Sequence, residues 1–224
     1  MALPSGIHAF TQSIDRDGET VTITPAAVET PRGTILLDVG FPGQTHQIES
    51  NLRSAGLDWD DVRAVFLTHH DGDHAGTLSE VLNRADATVY AHGRCAPHVD
   101  GREDTVKSPE GQRYPPAPVD VELVGGERFR TDAGPMDVVY TPGHTAGHCS
   151  LHFPEQSVLV AADALTADED GLAGPSEEFT LKMERALDSA STLASLPIEQ
   201  ILCFHGGLLD ATGQDVDRVV EEMR

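Results

Sequence analysis

The chain has 224 residues, enough for one substantial core, and an apolar content of 39% that is low but globular. Its formal net charge of −22, from 37 acidic against 15 basic residues, offers no clustered lysine and arginine for phosphate, so a nucleic-acid partner is not expected. No stretch approaches the roughly 18 uninterrupted apolar residues of a membrane span, and the opening MALPSGIHAFTQS lacks the basic and apolar regions of a signal peptide, so no membrane partner and a cytoplasmic location are expected.

The basic residues are arginines except for Lys107 and Lys182. An acidic surface nearly free of lysine suits a protein that works in concentrated salt, where screening removes the self-repulsion. The three cysteines, Cys95, Cys149 and Cys203, are widely spaced, with no CxxC pair. They read as buried free thiols, not as a disulfide framework or a zinc ribbon.

In chain order, strands are predicted over residues 6–14, 20–29 and 34–40, separated by the Asp17-Gly18 and Pro31-Arg32-Gly33 turns. A helix follows over 45–55, with Ile48 and Leu52 on one face and Gly56 just past its end. Residues 62–67, VRAVFL, form a short buried strand that runs into Thr68-His69-His70-Asp71-Gly72-Asp73-His74 and a helix over 75–84. A strand over 87–90 and a short helix come next, and 100–118 reads as a long loop of the kind that covers functional sites. Strands resume near 121–124, 127–130, 136–140, 148–153 and 157–161. A helix is predicted over 177–195 with Ser176 as its N-cap, then a strand over 200–204 and a helix over 214–223 capped at Thr212 or Gly213. Two runs of strands, each followed by helices, predict two sheets packed face to face with helices outside, in one domain spanning 1–224.

Metal-capable side chains recur where strands end: His69 to His74 after VFLT, His144 after VVYTPG, Asp163 after VLVAA and His205 after ILCF. Loops held at strand ends by a rigid sheet are where catalytic groups concentrate. Mixed imidazole and carboxylate donors suit zinc, iron or manganese. His8, His46 and His152 read as surface or satisfied core histidines. His92 and His98, flanking Cys95, are a weaker candidate for a second metal site, and Trp59 reads as a packing residue.

The run Thr68-His69-x-x-x-Asp73-His74-x-Gly76 resembles the THxHxDHxG signature of the metallo-β-lactamase superfamily. Leu36-Leu37-Asp38-Val39-Gly40, Pro142-Gly143-His144-Thr145-x-Gly147-His148, Ala162-Asp163 and His205-Gly206 resemble its other motifs, in family order. The resemblance implies a four-layered αβ/βα sandwich of the α/β class and two divalent metal ions, zinc first, with manganese or iron also suited. It implies that His69, Asp71 and His144 hold one ion and Asp73, His74 and His205 the other, with Asp163 bridging. Asp38, Thr68 and His148 would support those ligands without binding metal. His70 stands at a variable position.

Asp71 departs from the signature, which has histidine there; the extra carboxylate favours harder ions such as manganese or ferrous iron. The implied chemistry is hydrolysis by a hydroxide bridging the two metals, with Asp73 accepting its hydrogen bond and orienting it. The expected partner is a small-molecule substrate: an ester, thioester, lactone or phosphoester. β-Lactam hydrolysis is not expected, because those members resemble this chain less at the bridging Asp163. Nor does the 19-residue segment after His205 leave room for the helical thioester-binding domain of glyoxalase II. A diiron-type oxidoreductase and a non-catalytic metal-binding protein are the other readings, and oligomeric state is left open.

The charge pattern yields a first prediction. Thermal stability should rise as potassium chloride is raised from millimolar to molar levels, followed by circular dichroism. A melting temperature that stays flat or falls over that range contradicts adaptation to salt.

Overall fold

The computed structural model describes residues 2–16, 18–108 and 112–224. Asp17 of the predicted first turn and 109–111 of the predicted long loop lie outside the described residues. The first half holds strands β1 (Ile7–Ala9), β2 (Gln12–Arg16), β3 (Glu19–Ile23), β4 (Ala26–Thr30) and β5 (Gly33–Leu37), then helix α1 (Thr45–Ser54) and strand β6 (Val62–Leu67). Helices α2 (Gly72–Ala75) and α3 (Leu78–Leu82), strand β7 (Thr88–His92), helix α4 (Ala96–Asp100) and strand β8 (Val121–Leu123) complete it. The second half holds β9 (Arg128–Thr131), β10 (Gly134–Tyr140), β11 (Cys149–Phe153), β12 (Val158–Ala162), β13 (Thr166–Asp168), β14 (Gly171–Ala173), α5 (Met183–Ala194), β15 (Gln200–Cys203), β16 (Gly207–Asp210) and α6 (Gly213–Glu222).

Two six-stranded sheets result, in the orders β1-β4-β5-β6-β7-β8 and β16-β15-β12-β11-β10-β9. β5, β6, β7 and β8 run parallel, as do β12 and β15, and the remaining pairs within the two sheets are antiparallel. β2–β3 and β13–β14 are separate hairpins.

The central strands are apolar on both faces, and their alternation assigns each side chain to a layer. On β6, Val65 and Leu67 pack outward with Ile48 and Leu52 of α1 and Leu78 and Val81 of α3. Ala64 and Phe66 point the other way, into a middle core shared with Met136, Val138, Leu151, Phe153, Val158 and Val160 of the second sheet. On β12 and β15, Leu159, Ala161, Ile201 and Cys203 face outward against Leu187, Ala190 and Leu193 of α5 and Val216 and Val220 of α6. The layers are therefore helix, sheet, sheet, helix, the expected αβ/βα sandwich. Cys95, Cys149 and Cys203 are buried free thiols. Among the described residues, no helix is long and apolar enough to cross a membrane.

Several element boundaries differ from expectation. The first two predicted strands each break in two, at Phe10-Thr11 and at Thr24-Pro25, because the middle pieces pair with each other as β2–β3. The predicted helix over 75–84 is two short helices that start at Gly72. α5 starts at Met183, not near residue 177, and Lys182 stands at its N-cap in place of Ser176. The reason is a competing set of hydrogen bonds: Leu181 N donates to His144 O (3.2 Å) and Lys182 N to Gly143 O (3.0 Å), which ties 181–182 to the neighbouring loop. α6 is capped at Thr212, whose N–H donates to Asp215 Oδ2 at 2.9 Å.

Phe66 is fully buried between the sheets, edge-on to Phe129 at a centroid distance of 6.0 Å. Phe66→Ala should therefore lower unfolding free energy by about 3–5 kcal/mol. Urea denaturation should show the midpoint falling with the slope unchanged; a loss below about 1 kcal/mol would mean the middle layer is not a packed core.

Candidate metal centre

The strand ends at one rim of the sandwich bring the sequence-predicted residues together. Asp38, just after the end of β5, is buried and left-handed with φ 61°. Its carboxylate accepts from Thr68 N (2.8 Å) and Thr68 Oγ1 (2.7 Å) and from His74 Nδ1 (2.8 Å). Since the Thr68 hydroxyl donates to Asp38, its oxygen is left to accept from His69 Nδ1 at 3.1 Å. Both imidazoles thereby donate through Nδ1, with their Nε2 atoms turned to the centre. The backbone supports the same turn: Val39 N and Gly40 N donate to His74 O at 2.8 and 3.2 Å. Phe204 stacks on the His74 ring at 3.6 Å.

On the second sheet, Gly143 puts His144 at the rim; with φ 143°, a Cβ there would lie 2.2 Å from Ala186 N. A second relay fixes Asp163. Its N–H donates to His148 Nε2 (3.1 Å), His148 Nδ1 to Thr141 Oγ1 (2.8 Å), Thr141 Oγ1 to Ser150 Oγ (3.1 Å), and Ser150 Oγ to Ala161 O (2.9 Å). Both nitrogens of His148 are used, so it is a support and not a donor to the centre. His205 follows β15 and reaches the cleft.

Asp163 stands in the middle. Its Oδ2 lies 3.8 Å from His69 Nε2, 3.2 Å from His144 Nε2 and 3.7 Å from His205 Nε2, and its Oδ1 lies 3.4 Å from His74 Nε2. Asp71 Oδ2 is 3.2 Å from His69 Nε2 and 3.1 Å from His144 Nε2. Asp73 Oδ2 is 3.2 Å from His205 Nε2. Among the described residues, three groups have donor atoms all within 4.8 Å of one another: His69, Asp71 and His144; His69, His74 and Asp163; and Asp73, His74 and His205.

These donors fit divalent ions on a test internal to the structure. His69 Nε2, His74 Nε2 and Asp163 Oδ1 are buried and have no hydrogen-bond partner among the described residues. Each such atom costs about 1–3 kcal/mol unless something satisfies it, and a cation is the partner that imidazole lone pairs and a carboxylate oxygen share.

Charge in the cluster is tightly coupled. Burial pulls the His74 imidazole down, but Asp163, Asp38 and Asp73 outweigh it and hold the group well above its ordinary value. His205 is raised in the same way, against burial, by Asp73 and Asp163. Burial and the neighbouring His74 hold His69 well below its usual value. Burial pushes the carboxyls of Asp71 and Asp163 up, yet the surrounding imidazoles, with Lys107 beside Asp71, keep both well below the carboxylate range. A cation bound at His74 Nε2 would compete with the proton there, so its affinity should fall as pH falls.

Several residues lie outside the cluster. His70 is buried beneath it, stacked on His98 at 4.3 Å, with neither ring nitrogen partnered. His92 stacks on Tyr140 at 4.3 Å, and with His98 on His70 the two do not form a metal group with Cys95 among the described residues. His8 pairs with Glu29 and His152 with Pro197 O. The sequence reading missed Thr141 and Ser150 of the relay. It also missed Lys107, whose Nζ donates to Asp71 Oδ2 and, at 2.7 Å, to His144 Nε2. The cluster opens on a cleft of about 600 Å³ walled by Val21, Phe41, Pro42, Val106 and Phe179, with Arg16 and Lys107 as its cations.

Comparisons with known proteins show what the chain is similar to. The family model described as the metallo-beta-lactamase superfamily matches residues 24–205. A probable metallo-hydrolase, YflN of Bacillus subtilis, is 30% identical over 210 residues, covering 79% of this chain and 76% of its own. A hydroxyacylglutathione hydrolase of Cereibacter sphaeroides is 31% identical over 139 residues, 62% of this chain, which spans only 46% of that relative. Among solved structures, a metallo-beta-lactamase family protein from Thermus thermophilus superposes with a TM-score of 0.75 at 24% identity, covering 99% of this chain and 79% of that one.

Two buried histidines generate a pH prediction. Burial lowers His148 to about 3 and His70 to about 4, from an ordinary 6.5. Both are neutral when folded and protonate once unfolded, so the unfolded state binds more protons below pH 6.5 and stability falls with pH down to about 4. Each contributes a slope of about 1.4 kcal/mol per pH unit. His70→Phe should remove one such contribution between pH 4 and 6.5 in urea unfolding of the metal-free protein. Parallel stability curves for wild type and variant would contradict it.

Proposed function

The chain belongs to the metallo-β-lactamase superfamily, and we propose that it is a dinuclear hydrolase of a small ester, thioester, lactone or phosphoester. Family membership, the hydrolase names of the relatives and the His/Asp donor groups together support a metal-dependent hydrolase. The observation that carries the finer reading is the sharing of Asp163 between two donor sets, each with one imidazole, His69 in one and His74 in the other, whose buried Nε2 has no partner among the described residues. His69, Asp71 and His144 would hold one divalent ion and Asp73, His74 and His205 the other, with Asp163 between them. Zinc is the first expectation and manganese or iron also suit the set. Bound there, such ions supply Lewis-acid polarisation of the scissile carbonyl or phosphoryl oxygen and acidify a water.

The chain's own groups do the rest. Asp73, at the cleft wall, can accept a hydrogen bond from the attacking water and orient it. Asp38 and Thr68 hold the His69 and His74 rings in register, so that little reorganisation is needed on binding. Phe41, Val21 and Phe179 give the non-reacting part of the substrate an apolar wall and thin the water around the reacting atoms. The three buried free cysteines and the acidic composition fit a one-domain enzyme of a reducing cytoplasm.

A panel of lactone, thioester and phosphodiester substrates, run before and after chelation, tests the proposal. Activity on at least one class should disappear with chelator and return with zinc or manganese. His74→Ala should cut kcat/KM by about a thousandfold or more, and Asp38→Asn, one step removed, by about 10- to 100-fold. Hydrolysis that survives chelation, or an Asp38→Asn variant with wild-type metal affinity and rate, would count against this assignment.

A further inference from the structure

Lys107 is one of two lysines in the chain, and its ammonium lies inside the cluster. The side chain is 19% exposed, and its Nζ contacts Asp71 Oδ2 and His144 Nε2. An ammonium carries donors only, so the His144 contact consumes the single lone pair of Nε2. That lone pair is the one His144 would offer to a metal ion. The Asp71 oxygen that takes Lys107 is likewise the one facing His69 and His144. Among the described residues, Asp73, His74 and His205 show no comparable contact: His205 Nε2 faces Asp73 Oδ2 at 3.2 Å, and His74 Nε2 is unpartnered. The two halves of the cluster are therefore unequal before any ion arrives.

We infer that Lys107 is a tethered cation that competes with a divalent ion for the His69, Asp71 and His144 donors, so that the Asp73, His74 and His205 set fills first. The second ion binds only by displacing the ammonium. This rests on the reading of the cluster as a metal centre and adds an order of filling to it. It also joins two oddities of the sequence. A histidine at position 71 would give an ammonium no anionic partner, whereas the Asp71 carboxylate does. The segment carrying Lys107 is anchored on both sides, by Glu103 N to Pro97 O at 2.8 Å and by Tyr114 OH to His70 O at 2.7 Å. Rotation of a four-methylene stem into the cleft is enough to release the donors, without moving those anchors.

The test is a zinc titration of chelator-treated, full-length protein by calorimetry, with metal content counted after desalting, for wild type, Lys107→Met and Lys107→Arg. Wild type should show two constants at least about tenfold apart. Lys107→Met should tighten the weaker constant at least about tenfold and leave the tighter one unchanged, while Lys107→Arg, which keeps a cation in reach of Asp71, should retain the gap. The metal-free Lys107→Met protein should also melt below metal-free wild type, because the buried Asp71 loses its ammonium, and the two should converge when fully loaded. A weaker constant unchanged in Lys107→Met, or tightened equally in Lys107→Arg, overturns the competition and leaves the metal centre standing. Absence of zinc binding in all three proteins overturns the metal centre itself, and the competition with it.

Discussion

The carboxylate of Asp38 is the interaction on which the centre depends. It accepts three hydrogen bonds, two from Thr68 and one from His74, in a buried position. Through the Thr68 hydroxyl it also decides how His69 is protonated. One side chain thus fixes the Nδ1 hydrogen bonds of two imidazoles on a loop seven residues long, leaving both Nε2 atoms turned to the centre. The position is held in a left-handed conformation that aspartate tolerates better than most residues. Such strain is stable only where the surroundings over-determine it, and here the backbone of Phe66 and His74 bonds to 38–40 from two directions.

The second sheet solves the same problem with neutral groups. Asp163 is placed by the relay through His148, Thr141 and Ser150, which ends on the carbonyl of Ala161 in β12. Every donor and acceptor in that relay runs one way, so the His148 tautomer is not free to change. The two supports are joined where Cys149 N donates to Thr68 O at 2.9 Å. The ligand loops of the two sheets are therefore set by one connected network and not by independent turns, which is what a multi-residue centre needs to keep its geometry.

This organisation explains what could be seen in the sequence. The double-faced apolar runs VRAVFL and VLVAA announced buried central strands, and the residues just after them announced the rim, because a strand end is a place that local pattern fixes. The layering followed from two runs of strands each followed by helices, and the family resemblance implied the αβ/βα sandwich. The start of α5 did not follow, since Phe179 and Leu181 look helical locally while their segment is claimed by hydrogen bonds to the His144 loop, a tertiary effect no periodicity carries. Thr141 and Ser150 were hidden for a similar reason: small hydroxyls in strands usually just pack, and only the fold puts them in line with His148. Lys107 had a faint signal, being a rare lysine in a long connection, but nothing local ties residue 107 to residues 71 and 144.

The chain carries two distinct problems of negative charge, and salt can answer only one of them. Most of the acidic residues behind the net −22 face solvent, where dissolved ions screen repulsion over about 10 Å at 0.1 M and over less as salt rises. Asp38, Asp71 and Asp163 are 3%, 12% and 8% exposed at the side chain, so solution ions reach them far less. Their charge has to be met by groups fixed in the fold: N–H donors at Asp38, imidazoles around Asp163, and at Asp71 an ammonium as well. A carboxylate at position 71, where the family signature has histidine, therefore does more than change the donor type. It places a buried anion beside His69 and His144, and one of the chain's two lysines, Lys107, stands against it.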